Sequence, residues 1–327
     1  MLVAHPQGEL YARAAEGVDL VGLAPRNEID LAAAWKLSRV LRQYAPDVVH
    51  AHDPHAVAMA GTALSFGALS PAPPLVASRR VDFHLSSNSF SRWKYRQVTR
   101  FIAASGAIRN ILVDDGVPAS QVTVVHDGID VGRVQRLPSL DLHVEYWLPH
   151  GVPVIVNVGA LVGHKGQKHL LDAMPLVMRE MADVHLVILG EGELRVPLEK
   201  QVKELHLERA VRMPGFREDV LLLMKSADLF VMSSVTEGLG SAVLDAMAMG
   251  LAVVATRAGG IPEAVVHRET GLLVPPGEPA PLAQAIVRLL KDPAVRSQYG
   301  HAAQARVAEQ FGVDKLVEGT LAVYRGS

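Results

Sequence analysis

Cysteine is absent from this chain of 327 residues. That excludes a disulfide scaffold, a thiolate nucleophile and any Cys-ligated zinc or iron–sulfur site, and it fits a reducing compartment. A surplus of one charge is also lacking. Lys and Arg number 32 against 34 Asp and Glu, for a formal charge of −2, which argues against a nucleic-acid binder driven by overall charge. Mean hydropathy is +0.20, yet no apolar run reaches the ~18 residues of a membrane span. The start, Met1-Leu-Val-Ala-His-Pro, has neither the basic residues nor the apolar length of a signal peptide. The expectation is a soluble cytoplasmic protein. Apolar residues make up 49% and charged residues 20%, enough for a sizeable core, and the length suits two domains of roughly 100–200 residues.

Short apolar runs alternate with helical patterns. Strands are expected at 47–49, 75–77, 101–103, 122–125, 152–158, 185–189, 211–213, 229–232 and 252–255, each continuous and apolar, as in strands buried on both faces of a parallel sheet. Leu170, Leu171, Met174, Val177, Met178 and Met181 recur at helical spacing, with Pro175 expected to bend or shorten that helix. Such alternation predicts an α/β chain of right-handed crossovers. Polar, Pro-containing sequence near 131–152 reads as an interdomain linker. The first block opens with a strand at 1–4, a helix at 8–16 and a strand at 19–23. The last helix carries Leu316, Val317, Leu321 and Tyr324 on one face.

Four segments of the second block lie at carboxyl ends of expected strands, the edge where open α/β sheets bind ligands. In Asn157-Val-Gly-Ala-Leu-Val-Gly-His-Lys-Gly, a loop follows Gly159 and Lys165 stands at the mouth of a helix. Free amides and a lysine suit a diphosphate; an ordinary strand–helix turn with a surface lysine is the alternative. A P-loop is disfavoured, because no Gly-Lys-Ser/Thr occurs there. Gly190-Glu-Gly suits a tight turn as well as ligand contact. The most informative segment is Ser233-Ser-Val-Thr-Glu-Gly-Leu-Gly-Ser-Ala-Val-Leu-Asp. Glu237 precedes a helix, Asp245 lies about one turn inside it, and helical side chains lean back toward the N-terminus. The Gly238, Leu239 and Gly240 amides between them are free to meet an anion. Carboxylates flanking an anion cradle suit a ligand with hydroxyls on both sides of a phosphate group, as in a nucleotide sugar. The fourth segment, Ala258-Gly-Gly-Ile-Pro-Glu, is explained by a tight turn, Pro262 at a first helical position and Glu263 in a first turn.

The spacing Glu237-x7-Asp245, with Ala258-Gly-Gly-Ile-Pro-Glu about twenty residues on, closely resembles glycosyltransferase family 4. The resemblance takes in Gly159 and Lys165-Gly166, Gly190-Glu-Gly, Pro214-Gly-Phe, Thr270-Gly-Leu-Leu-Val-Pro-Pro-Gly, His126-Asp-Gly-Ile-Asp and Leu321-Ala-Val-Tyr-Arg, and so spans nearly the whole chain. It implies the GT-B arrangement of two facing Rossmann-like domains: an acceptor-side domain at 1–140, a donor domain at 150–305, and a helix at 306–327 returning to the first domain. It also implies transfer of a hexose-type sugar from a nucleoside diphosphate donor, with retention of configuration, no cofactor and no metal, to a glycan, lipid or other acceptor in cell-envelope or lipopolysaccharide-type assembly. Lys165 would meet the donor phosphates, Glu237 would lie near the transferred sugar and Asp245 would grip ribose hydroxyls, with Gly159, Gly190, Gly238, Leu239 and Gly240 completing the donor site. There are three departures. Asp245 stands where the family usually has Glu, and Ala160 where it often has Arg. The family's opening strand and glycine-rich loop are expected ahead of Met1 and are missing there, which would impair catalysis more than donor binding.

On the acceptor side, Arg80 and Asp82 follow the strand at 75–77 and are expected to face the cleft as catalytic-site groups. The segment 79–109 carries Arg79, Arg80, Arg92, Lys94, Arg96, Arg100 and Arg109 against Asp82, with Phe90, Trp93 and Tyr95 interleaved. It reads either as a solvated helix or as a face for an anionic acceptor or the inner membrane surface. The rival readings are a sugar-nucleotide-binding protein with impaired catalysis and a nucleotide-sugar epimerase, which would act without an acceptor.

Overall fold

The computed structural model describes residues 1–14, 17–67 and 69–326. The strands are β1 (Leu2–Ala4), β2 (Leu20–Gly22), β3 (Val49–Ala51), β4 (Leu75–Arg79), β5 (Arg100–Ala103), β6 (Val122–Val124), β7 (Val154–Val158), β8 (His185–Leu189), β9 (Val211–Gly215), β10 (Leu229–Met232), β11 (Val253–Thr256) and β12 (Gly271–Val274). Every neighbouring pair is parallel, and helices fill the connections, giving two Rossmann-like domains.

The C-terminal sheet has the order β12-β11-β10-β7-β8-β9. The chain winds outward from β7 to β9, then returns to start again at β10 beside β7. The loops leaving β7 and β10 therefore border one crevice, the topological switch point where such sheets bind ligands. Apolar side chains cover both faces by strict alternation. Val154, Val156, Phe230 and Met232 join one core, whereas Ile155, Leu229 and Val231 join the other.

In the N-terminal domain β3-β4-β5-β6 form one sheet and β1-β2 another. A cavity of about 1150 Å³ lies between them, lined by Leu2, Val3 and Ala4 on one side and Val49, His50 and Ala51 on the other. The chain passes between the domains at two adjacent points, where Ile129 N donates to Phe311 O (2.8 Å) and Val313 N to Ile129 O (3.0 Å).

Several expectations need correction. The stretch 131–152 is no linker: helices Val131–Arg136 and Leu142–Glu145 lie on the C-terminal domain, with Val134, Leu142 and Leu148 buried in its core. Helix Gln167–Glu180 continues through Pro175, because the burial of Leu170, Leu171, Met174 and Val177 outweighs a local cost of about 3 kcal/mol. The strand β12 has no counterpart among the expected strands. The helix expected over 8–16 spans Glu9–Arg13, and Ala15 and Glu16 lie outside the described residues.

The last helix, Val313–Arg325, packs on the N-terminal sheet through Leu316, Val323 and Tyr324, beside Val76, Ile102 and Val125, while Val317 is exposed and Leu321 borders the large cavity. Its Tyr324 hydroxyl lies 2.6 Å from His50 Nδ1, and His50 Nε2 is 2.8 Å from Ser78 Oγ. Burial, with the charges of His52 and Arg80, pushes the His50 pKa down to about 4, so this histidine is a neutral packing group at pH 7. Tyr324→Phe should cost about 1 kcal/mol in urea unfolding. An unchanged unfolding midpoint would show that the tyrosine–histidine bond contributes nothing net.

Candidate active site

Loops from both sides of the switch point converge. After β7 the chain makes a short turn at Gly163–Lys165 before helix Gln167–Glu180. After β10, residues 233–240 lead into helix Ser241–Ala248. The two loops are stitched together by Val235 N to His164 O (2.7 Å) and by Ser233 Oγ to Lys165 O (3.2 Å). This scaffold brings Lys165 Nζ to 2.6 Å from Glu237 Oε2, which also accepts from Ser234 Oγ at 3.0 Å. The lysine side chain is 20% exposed and the glutamate 11%, so the pair is mostly buried and keeps a small face toward solvent.

Beyond Glu237 the backbone turns through Gly240, whose φ of +90° suits glycine. No hydrogen bond within the chain engages the N–H groups of Gly238, Leu239, Gly240, Ser241 or Ala242 among the described residues. They cluster at the positive end of a helix, a ready anion cradle. The Leu239 side chain is buried in the core, leaving only its backbone to face the cleft. One turn into this helix, Asp245 is partly buried and, among the described residues, its carboxylate has no hydrogen-bond or ion-pair partner. Burial alone raises its pKa to about 6.

Gly159 and Gly190 hold the neighbouring strand ends in register: Gly159 N donates to Leu189 O (3.0 Å) and Gly190 N to Gly215 O (2.9 Å). Their backbones also meet closely, since a Cβ on Gly190 would lie 2.0 Å from Gly159 O. Gly190 thus shapes the crevice by packing. Among the described residues, no group of three or more His, Asp or Glu is placed to hold a metal ion.

Across the cleft, Arg80 Nε pairs with Asp127 Oδ1 at 3.2 Å. With His50, His52, Ser78 and Tyr324 these two line a cavity of about 130 Å³ at the end of the N-terminal sheet. Burial pushes the Asp127 carboxyl up, against the pull of Arg80 and His126. Asp82 makes no hydrogen bond or ion pair among the described residues; its neighbour Phe83 meets the His164 ring edge-on at 5.6 Å, which sets this loop over the Lys165 turn. The basic segment 79–109 does not form one face. Lys94 is buried against Glu28 at 3.2 Å, and Arg100 donates to Ser120 O and Gly326 O. On helix Ser89–Arg96, Arg92 and Arg96 are left exposed.

Glu263 and His126 take on contacts that sequence reasoning missed. Glu263, expected only as a first-turn acid, reaches the other domain and pairs with His126 at 2.9 Å. Burial opposes its ionisation, but His126 and the Gly106 and Ala107 amides hold its carboxyl below the usual range. The contact joins residues 137 to 157 positions apart, for which one sequence offers no signal.

Comparison with known proteins identifies the family and the fold. Residues 141–306 match the family described as Glycosyl transferases group 1, and residues 2–133 match Glycosyltransferase Family 4. The chain belongs to the group 1 glycosyl transferases. It is 26% identical over 303 residues to the N-acetyl-alpha-D-glucosaminyl L-malate synthase of Bacillus anthracis, covering 90% of this chain and 78% of that protein. It is 29% identical over 298 residues to a glycogen synthase of Mycobacterium tuberculosis, covering 86% and 69%. The crystal structure of Anabaena HepE in complex with UDP-glucose superposes with a TM-score of 0.83 at 24% identity, over 98% of this chain and 88% of that one. The fold is GT-B, and the chain is a glycosyltransferase.

Proposed function

We propose that this chain moves a hexose-type sugar from a uridine diphosphate donor to a hydroxyl of a glycan or lipid-linked acceptor, with retention of configuration and without a metal ion. The observation that carries the reading is the Lys165–Glu237 pair beside five amides that have no partner among the described residues at the switch point. The ammonium and the amides meet the diphosphate, Glu237 faces the sugar, and the Asp245 carboxylate accepts from ribose hydroxyls. Anabaena HepE, a protein of the same fold solved with UDP-glucose, supports the choice of base.

In this reading the bond between the sugar C1 and the diphosphate oxygen breaks as the acceptor oxygen bonds to C1. Negative charge grows on the departing diphosphate, where Lys165 and the helix-end amides are already aimed. Each such preorganised donor is typically worth about 2.7–4 kcal/mol in the transition state. For retention the acceptor arrives on the face that the diphosphate leaves, and its proton passes to the leaving phosphate oxygen. Arg80 and Asp82 border the acceptor path, and Asp82 has no competing partner among the described residues.

Calorimetric titration with UDP, GDP and ADP, each with magnesium and with EDTA, tests the donor site. Saturable binding of UDP that is insensitive to EDTA is expected. Lys165→Ala should weaken it by about 1.5–3 kcal/mol, the range for a hydrogen bond to a charged group. Binding of none of the three, or binding that needs magnesium, would overturn the assignment.

A further inference from the structure

We propose that Glu263 is the latch of the cleft: a positioning residue of the donor domain that grips the acceptor-side domain and thereby sets Arg80 against the Glu237 loop. Helix Gly106–Asp114 of the N-terminal domain begins at the interface. Its third amide, Ile108 N, is capped locally by Ser105 Oγ at 3.2 Å. Its first two are capped from the other domain, Gly106 N to Glu263 Oε2 at 2.9 Å and Ala107 N to Glu263 Oε1 at 3.1 Å. A carboxylate at this position meets the positive end of the helix dipole and satisfies two otherwise orphaned donors. His126 Nε2, also from the N-terminal domain, closes on the same Oε2 at 2.9 Å.

Glu263 is itself held rigidly. Arg306 donates to the main-chain oxygens of Glu263 and Ala264, both at 2.8 Å. The Arg306 guanidinium lies over the Phe311 ring at 5.9 Å, and Phe311 meets the His126 ring at 5.2 Å. Because Phe311 O accepts from Ile129 N at the interdomain crossing, Glu263, His126, Phe311 and Arg306 form a closed circuit that ties the latch to the hinge.

The same turn reaches the site. Gly260 N donates to Glu237 O at 3.1 Å. A Cβ on Gly259 would lie 1.7 Å from Glu237 O, and one on Gly238 would lie 2.4 Å from Arg80 O. The Glu237 loop is thus pressed between the Gly259-Gly260 turn and the Arg80 backbone. Releasing Glu263 would let these layers part while leaving the donor cradle, which belongs wholly to one domain, intact.

Since the chain has no cysteine, a pair of spin labels can be placed through Asp114→Cys and Lys203→Cys, two exposed positions in opposite domains. The expected result is a narrow distance distribution in the labelled parent. Glu263→Ala should extend it to longer distances, and Glu263→Gln, which keeps one acceptor, should fall between. UDP affinity should stay within about threefold, less than one ordinary hydrogen bond is worth. Over the same change, kcat for UDP-glucose hydrolysis should fall at least about tenfold in Glu263→Ala, the order expected when reacting groups lose their alignment. An unchanged distribution would overturn the latch, as would a loss of UDP affinity equal to the loss of kcat, or an opened cleft with unchanged kcat. The kcat measurement rests on the sugar-transfer reading and the distance measurement does not. A chain that opens on Glu263→Ala yet binds no UDP would sink only that reading.

Discussion

Glu237→Gln is expected to tighten UDP binding while abolishing most transfer. In the free protein the Lys165 ammonium is already occupied by the Glu237 carboxylate at 2.6 Å, so a diphosphate must compete with a built-in anion for it. Replacing that carboxylate by an amide removes both the competitor and a negative charge facing the ligand. For a pair this sheltered the gain should be about 1–2 kcal/mol, or roughly 5- to 30-fold in Kd. Turnover should fall about 10²- to 10³-fold, the usual effect of removing one preorganised electrostatic group. Calorimetry and single-turnover kinetics on the same preparation read the two effects in opposite directions. Weaker UDP binding would mean that the carboxylate organises the phosphate site instead of competing for it, and unimpaired turnover would remove its role at the sugar.

Asp245→Asn should stabilise the protein at neutral pH and weaken the nucleotide site. Desolvation lifts the folded-state pKa from 3.8 to about 6, so the folded chain holds this proton more tightly than the unfolded chain. The group's favourable contribution is therefore complete below about pH 4 and is lost as pH rises through about 6. At about pH 8 the ionised carboxylate costs about 3 kcal/mol. An asparagine carries no such cost. Thermal unfolding should show the Asp245→Asn variant several degrees more stable than the parent chain near pH 8, and indistinguishable from it at about pH 3.5, where both forms are neutral. UDP affinity should drop about tenfold as a charged acceptor for ribose becomes a neutral one. A variant equally stable at both pH values would mean that Asp245 is better solvated or paired in solution than its burial implies. A partly buried carboxylate with no partner among the described residues is the kind of cost that functional sites carry.

Much of this site is legible in the sequence because its parts are local. Lys165 sits at a strand–helix mouth, and Glu237 and Asp245 frame one helix start, so spacing alone predicts that they gather at one sheet edge, and the roles given to them come from the family resemblance. The strand runs are equally plain, because strands buried on both faces are continuously apolar. β12 escapes because Gly271-Leu-Leu-Val is short and follows directly on a turn. The segment 131–152 misleads through its prolines and polar residues, though Val134, Leu142 and Leu148 are core residues; composition averages over the few side chains that decide burial. The last helix reads with too wide a stripe because its buried face is narrow: Val323 and Tyr324 pack inward, Leu321 borders the large cavity and Val317 is exposed. Glu263 could not be read at all, since its partners are brought to it only by the meeting of two domains.

The contacts of Gly238 with Arg80 O and of Gly259 and Gly260 with the Glu237 loop and Ser105 bear on how substitution maps of this protein should be read. Gly259 and Gly260 have no room for a side chain and lie outside the donor cradle. In a saturation screen scored by sugar transfer they would nonetheless behave like Glu237, intolerant of every change, while each half of the molecule still folds. A tally of sensitive positions would draw the catalytic centre too large and shift it toward the seam. Scoring the same library for retained UDP binding singles out the nucleotide cradle: changes at the Gly259-Gly260 seam leave UDP bound, as Glu237→Gln does, and changes at Lys165 lose it.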